Sequence, residues 1–412
     1  MPVIRLNPGQ DIFISADRLW RGTPAPPEKK VLIRLAGGRV AGIITGAPAV
    51  REKALLAGEE ARGKAPVLEL PGCTIMPGMI DCHVHLALDG RDFAASRRQW
   101  DDREGMRQRI AADLEETLAR GIVAVRDGGD LAGAALACRG EMSAADPPRP
   151  LVLACGRAIR RQGEYGSFLG PGLTPAELEA AVDHLAALPV DQIKVLVSGI
   201  VSFQTYRRVG GVQFSAGELA RIVRRARHHG LRVMAHASGD GAVRLAVEAG
   251  VDSIEHGYFA GEETLARMAA RGIAWIPTVV PVAAQLKENL RAQYSPQERE
   301  VIERTCRHQL HLLRLARRLG VKLGVGTDAG ATGVPHGRGY LDELLLYHAA
   351  GLSTAEILLA ATAGGAAVLG RENELGVIAP GKPAFLIAAE GNPWWNIKDL
   401  HRVRYVFIPS SF

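Results

Sequence analysis

Five cysteines in 412 residues, an odd count with no CxxC and no regular spacing, exclude a disulfide framework. Cys73 and Cys82 are close in sequence, but strand geometry separates them. No apolar stretch reaches the ~20 residues needed to span a bilayer. The opening residues, Met1-Pro-Val-Ile-Arg-Leu-Asn-Pro, lack the basic-then-apolar order of a signal peptide. No block of like charges occurs either. With 50 basic and 44 acidic residues the surplus is +6, too small to predict nucleic-acid binding. Arg221, Arg224, Arg225 and Arg227 are helically spaced and read as a solvated helix face. These absences leave a soluble cytoplasmic protein, with no nucleic-acid or membrane partner, as the expectation. The composition, 47% hydrophobic and 23% charged, is that of a globular chain. Its length suits a barrel plus a smaller domain.

Two β-type runs flank Gly37-Gly38, a hairpin signal, and a third, Val67-Leu-Glu-Leu, follows a polar linker. From Ile75 the pattern becomes strand then helix, repeated. Strands are predicted at 75–85, 122–127, 151–158, 192–198, 232–238, 253–256, 273–279 and 322–328. Helices are predicted over 107–120, 175–188, from Ser215 with Glu218 completing a capping box, over 262–270, from Ser295-Pro296 to near Gly320, and over 341–350. Eight strand–helix units are the count for a (β/α)8 TIM barrel; an open doubly wound sheet is the runner-up.

His83 and His85, one residue apart on a strand, point to the same face. Alone, such a pair reads as core histidines. Here polar residues recur at later strand ends: Lys194 on the fourth, His236 on the fifth, His256 at the end of the sixth, Asp328 at the end of the eighth. The C-terminal ends of barrel strands converge on one mouth, and nitrogen and oxygen donors of this kind suit Zn²⁺ or a similar divalent ion. Lys194 sits among apolar residues, where an ammonium tends to lose its proton. A neutral amine could add CO₂ and become a carbamate able to bridge two metals; the bland alternative is a lysine snorkelling to the rim. Asp328 reads as a turn aspartate or as metal ligand and general base.

At these residues the chain resembles the amidohydrolase superfamily. The matching segments are Met76-Pro-Gly-Met-Ile-Asp-Cys-His-Val-His, Ile193-Lys-Val, Ala235-His-Ala, Ile254-Glu-His-Gly and Gly326-Thr-Asp-Ala-Gly. Within it the chain looks most like the branch of imidazolonepropionases and prolidase-like Xaa-Pro and Xaa-Arg/Lys dipeptidases. Lys194 favours the binuclear, dipeptidase-like side. The resemblance implies two zincs per chain bridged by carboxylated Lys194. His83, His85 and Asp328 would hold the more buried ion, and His236 and His256 the other. It also implies a composite β-sandwich built from residues 1–75 and 374–412 around a barrel of residues 76–373, and homo-oligomers as a common state. The chain departs from the family pattern with Phe385 where Asp is usual, and with Arg160-Arg-Gln-Gly-Glu-Tyr165 after the third strand, where dipeptidase-like relatives carry a Thr/Gly/His-rich loop.

The resulting expectation is hydrolysis of a C–N bond in a small amide or dipeptide-like substrate. Hydroxide held between the metals attacks the carbonyl, and Asp328 shuttles the proton. A cyclic-amide (imidazolone-type) hydrolase, a lactone or phosphoester hydrolase, a deaminase and a non-catalytic scaffold are the alternatives. Specificity is expected from βα loops. Arg157, Arg160 and Arg161 are candidates to pair with a substrate carboxylate, Tyr165 beside them is a candidate substrate contact, Tyr206 and Tyr258 are candidates to donate to a substrate oxygen, and His336 to line the mouth.

Overall fold

The computed structural model describes residues 2–46, 66–142 and 147–410; the linker ahead of Val67 lies almost wholly outside them. Five strands open the chain: β1 (Val3–Leu6), β2 (Asp11–Leu19), β3 (Glu28–Ala36), β4 (Arg39–Thr45) and β5 (Val67–Pro77). Gly37 and Gly38, at φ 55° and 77°, make the two-residue turn between β3 and β4. Along β2, Ile12, Ile14 and Ala16 are buried in alternation, as a strand with one covered face requires.

Next come β6 (Met79–Val84), β7 (Ile122–Asp127) and β8 (Leu151–Ala154), a parallel three-stranded sheet. A short parallel pair follows, β9 (Arg160–Arg161) with β10 (Gly172–Leu173). Then β11 (Gln192–Leu196), β12 (Arg232–Gly239), β13 (Ser253–Phe259), β14 (Ala274–Ile276) and β15 (Lys322–Leu323) form a parallel five-stranded sheet. Backbone hydrogen bonds tie the two parallel sheets together along both edges. Ile159 N donates to Lys194 O at 2.8 Å on one side; Cys82 N donates to Val325 O at 2.8 Å and Asp328 N to His83 O at 2.7 Å on the other. β16 (Leu386–Glu390) and β17 (Val403–Pro409) end the chain.

The last two strands join the first five in the order β1-β17-β16-β5-β2-β3-β4. Where the resemblance implies a composite sandwich, these seven strands are hydrogen-bonded as one continuous sheet. Ile14, Ile33, Leu35, Ile75, Leu386 and Phe407 form its separate apolar cluster.

The single strand expected over 75–85 divides at Gly78. Gly78 N bonds Phe385 O, while the next amide, Met79 N, bonds Gly121 O, so neighbouring peptides belong to different sheets. A Cβ at Gly78 would lie 2.3 Å from Val123. The last expected strand is also shorter: after Leu323 the backbone leaves its ladder to pair with the end of β6.

The capping signals act as the sequence implies. Ser215 with Glu218 opens helix Ala216–His228, and Ser295 with Glu298 opens helix Pro296–Leu319, which ends at Gly320 with φ 75°. The helix expected from Pro175 begins at Leu178, because the Thr174 amide and hydroxyl close on Glu177 in a preceding turn. Among the described residues, no helix is long and apolar enough to cross a membrane.

Candidate metal centre

The end of β6 carries His83 and His85, β11 carries Lys194, β12 His236 and β13 His256, and Asp328 follows β15. All six meet at one place. His83 Nε2 is 3.4 Å from His85 Nε2, and each lies 3.5 Å from Asp328 Oδ1. The His256 ring centroid is 5.0 Å from that of His83 and 4.5 Å from that of His236. Ligand atoms of His83, His256 and Asp328 fall within 4.8 Å of one another.

Three imidazoles have their proton fixed on Nδ1. Glu255 accepts from His83 Nδ1 at 2.8 Å, and Gly129 O accepts from His85 Nδ1 at 3.1 Å. Thr278 Oγ1 gives its own hydrogen to Pro277 O, so at 2.7 Å it can only accept from His256 Nδ1. Each Nε2 therefore keeps a free lone pair, the form a metal requires. Burial, followed by the charge of Lys194, drives the His83 and His85 pKa values down, that of His85 to about 3. The same causes take His236 to about 3, and burial followed by His236 lowers His256 well below its usual value. The histidines are neutral.

Glu255 is held in turn. Arg126 donates to it at 2.8 Å and Ser253 at 2.5 Å, while Arg126 also bonds Cys82 O at 2.6 Å. Strand alternation would send Glu255 and His256 to opposite faces. His256 instead takes φ 69°, so both approach His83. Asp328 at φ 54° and Thr278 at φ 47° share this left-handed backbone, a conformation that costs free energy and clusters at functional sites. Glycine makes room: a Cβ at Gly128 would lie 2.6 Å from His85 Cε1. Sequence reasoning gave no role to Glu255, Arg126 or Thr278. The one signal was a carboxylate inside an apolar strand, immediately before a candidate ligand.

Lys194 is 1% exposed, and its Nζ has no hydrogen-bond partner among the described residues. Burial lowers its pKa, with opposition from Glu255 and other anions. Asp328 is pushed up to about 7, first by burial, against the pull of Lys194. A cavity of about 560 Å³ opens above these groups, lined by His85, Lys194, His236, His256 and Asp328 below and by Leu88, Phe93, Phe168, Leu169 and Ile200 around its walls.

The expected substrate contacts divide. Tyr165 lines the cavity with its ring 5.6 Å from that of His236. Tyr258 lines it too, but bonds Thr278 and stacks on His256 at 5.5 Å. Tyr206 instead packs its ring against Phe259 and under Arg304.

Arg160 does not line the cavity. Its guanidinium bonds the carbonyls of Gly170, Arg161 and Glu164, pinning the loop that carries Tyr165. Arg161 pairs with Glu218 at 2.7 Å, and Arg157 bonds Leu131 O at 3.0 Å. His336 is buried behind the wall, 2.9 Å from Leu88 O, and supports that residue rather than facing the mouth.

Comparison with known proteins follows the same lines. The profile of the Amidohydrolase family matches residues 74–409. An imidazolonepropionase from Acidiphilium cryptum is 26% identical over 415 residues, covering 94% of either chain. An ochratoxinase from Aspergillus niger is 26% identical over 354 residues, covering 79% of this chain and 72% of its own. The crystal structure of a Xaa-Pro dipeptidase with bound methionine superposes with TM-score 0.81 at 25% identity, over 97% of this chain and 98% of that one.

Proposed function

The chain belongs to the amidohydrolase family, and from that premise we propose that it is a binuclear metal-dependent hydrolase of C–N bonds in small amide or dipeptide-like substrates. The observation that carries this reading is Lys194: a buried amine with no partner among the described residues, beside four neutral imidazoles and a carboxylate. An unpaired buried polar group is costly unless something completes it. Carboxylation would do so. The free amine adds to CO₂ and loses a proton, giving a two-oxygen anion among the imidazoles. His83, His85 and Asp328 would hold one ion, His236 and His256 the other, with Lys194 between them. Zinc fits this donor set. When bound, such ions polarise the carbonyl and make water acidic enough to attack it near neutral pH.

The remaining chemistry belongs to the chain. Asp328 takes the proton of the attacking water and returns it to the leaving amine. Glu255 and Arg126 keep His83 in one tautomer. Tyr165, whose pKa burial raises, stays protonated and able to donate to a substrate oxygen. We read the two parallel sheets, joined along both edges, as one (β/α)8 barrel over residues 76–373. Residues 1–75 and 374–412 make the second unit.

Elemental analysis of wild type and Lys194→Ala tests the site. The expected result is about two zincs per chain, falling to one or fewer in the variant. The likeness to imidazolonepropionase favours a second reading, a mononuclear cyclic-amide hydrolase. One ion per chain, unchanged in Lys194→Ala, would select it.

A further inference from the structure

Gln309 is a polar side chain kept in the core against its own interest. It stands midway along helix Pro296–Leu319, fully buried, and does not line the cavity. Its Nε2 donates to Pro277 O at 3.1 Å, while Oε1 has no partner among the described residues. A carbonyl can only accept, so the amide faces Pro277 with its nitrogen. A buried orphan oxygen works against folding, and an apolar side chain of the same size would avoid it.

The nitrogen touches the corner that holds His256. After β14 the chain turns through Pro277 and Thr278, and Thr278 takes φ 47°. For a β-branched residue this backbone is a rare one, and it persists only where the surroundings enforce it. Two outer helices do so here. Gln309 takes the carbonyl before Thr278, and Glu343, from helix Gly339–Ala349, takes the two amides after it, Val279 N and Val280 N. His256 is gripped twice from this segment. Trp275 Nε1 donates to its carbonyl at 3.0 Å, and Thr278 accepts from its ring at 2.7 Å.

The hydrogens around Thr278 follow from one another. Gln309 Nε2 and the Thr278 hydroxyl both donate to Pro277 O. With its one hydrogen placed there, Thr278 meets His256 Nδ1 and Tyr258 with lone pairs only. Nδ1 then carries the imidazole proton and Nε2 the lone pair. Were Pro277 O to turn away, the Thr278 hydrogen would be free to point at Nδ1. A neutral imidazole answers by carrying its proton on Nε2, and its lone pair then faces Thr278 instead of the site.

We infer that Gln309 is a positioning residue for metal binding: through Pro277 O and the Thr278 hydroxyl it holds His256 in the tautomer that can ligate an ion. This rests on the metal-hydrolase reading above only in taking His256 as a ligand.

The test uses Gln309→Met, which keeps the volume and removes the orphan oxygen, with Gln309→Leu in reserve should it not fold. In the metal-free protein with isotope-labelled histidine, long-range proton–nitrogen correlations read each tautomer, and the His256 signals are those missing from His256→Asn. Wild type is expected as Nδ1–H, and Gln309→Met as a mixture containing Nε2–H. Zinc affinity by chelator competition should fall about 10-fold in Gln309→Met. Thr278→Ala should lose at least as much, Thr278→Ser should stay near wild type, and Gln309→Met added to Thr278→Ala should lose nothing more. Thermal unfolding of metal-free Gln309→Met should be unchanged or raised in Tm. A role in packing alone lowers Tm and leaves the tautomer and the affinity as in wild type. An unchanged His256 tautomer, an unchanged zinc affinity, or losses that add in the double variant overturn the inference and leave the metal-hydrolase reading standing. If wild type binds no zinc, that reading fails instead, and the tautomer alone decides. Nε2–H appearing in Gln309→Met upholds the role of Gln309, and Nδ1–H retained there overturns it.

Discussion

The two ends of the parallel strands carry hollows of opposite character. Around the N-terminal ends of β12 to β15 lies the larger one, about 730 Å³, rich in charge. Its arginines are satisfied: Arg227 on Gly250 O, Arg232 on Ala367 O and Val368 O, Arg271 on Val247 O, and Arg317 on Glu356. The C-terminal ends hold a smaller cavity with an amine that has no partner among the described residues, neutral imidazoles presenting lone pairs, and left-handed backbone at His256, Thr278 and Asp328. Volume and charge therefore point to one end and chemistry to the other. What separates them is whether polar groups have already found partners. At the N-terminal ends the guanidiniums close helix and strand termini, so the energy of pairing goes into stability. At the C-terminal ends the same kind of energy is left for a metal or substrate to collect.

The contrast breaks most readily at Asp328. Asp328→Asn should retain metal and lose about 10²- to 10⁴-fold in kcat, because the proton carrier is gone. Activity at wild-type level with full metal content would remove Asp328 from the proton path. The next largest effect is expected at Glu255→Gln, which weakens the hold on His83 Nδ1. Metal affinity by chelator competition should fall about 10- to 100-fold.

Glu343 sharpens the comparison from within the core. It is fully buried but paired, accepting from Val279 N at 3.0 Å and Val280 N at 2.7 Å, and burial pushes its pKa up to about 8. The folded state thus holds this proton more tightly than the unfolded chain, whose ordinary value is 4.5. Its contribution is greatest below that value and declines as pH rises from there through about 8. Thermal unfolding of the metal-free protein should show this part of the decline, worth a few °C, vanish in Glu343→Gln. The smallest effect on activity belongs to the other end of the strands. Arg271→Ala should cost about 1 kcal/mol of stability in denaturant titration and leave kcat/KM within about twofold.

The six candidate ligands could be read from sequence because each stands within or at the end of an apolar run, where strand geometry decides which way it points. Their supports could not. Glu255 reaches His83 across 172 positions, and Gly129 and Thr278 reach His85 and His256 from the segments that follow β7 and β14. The contacts of Arg160 were illegible for a related reason: its three acceptors are backbone carbonyls, which every residue carries and no sequence pattern marks. The helix Phe93–Arg98 was missed because six residues are too few to show a period, although Asp92 stood at its cap. The division of one apolar run into β5 and β6 at Gly78 was hidden because both halves are equally apolar, and only tertiary pairing tells them apart.

The pairing of β1 with β17 also sets an order in time. Val3 lies beside Val406 in that ladder, so the edge of the seven-stranded sheet must wait, through almost the whole of translation, for its neighbour to be made. Until then β1 is an unprotected strand on a growing chain, exposed to other nascent chains. The ribosome finishes the parallel strands first, and the sheet that bears no chemistry closes last.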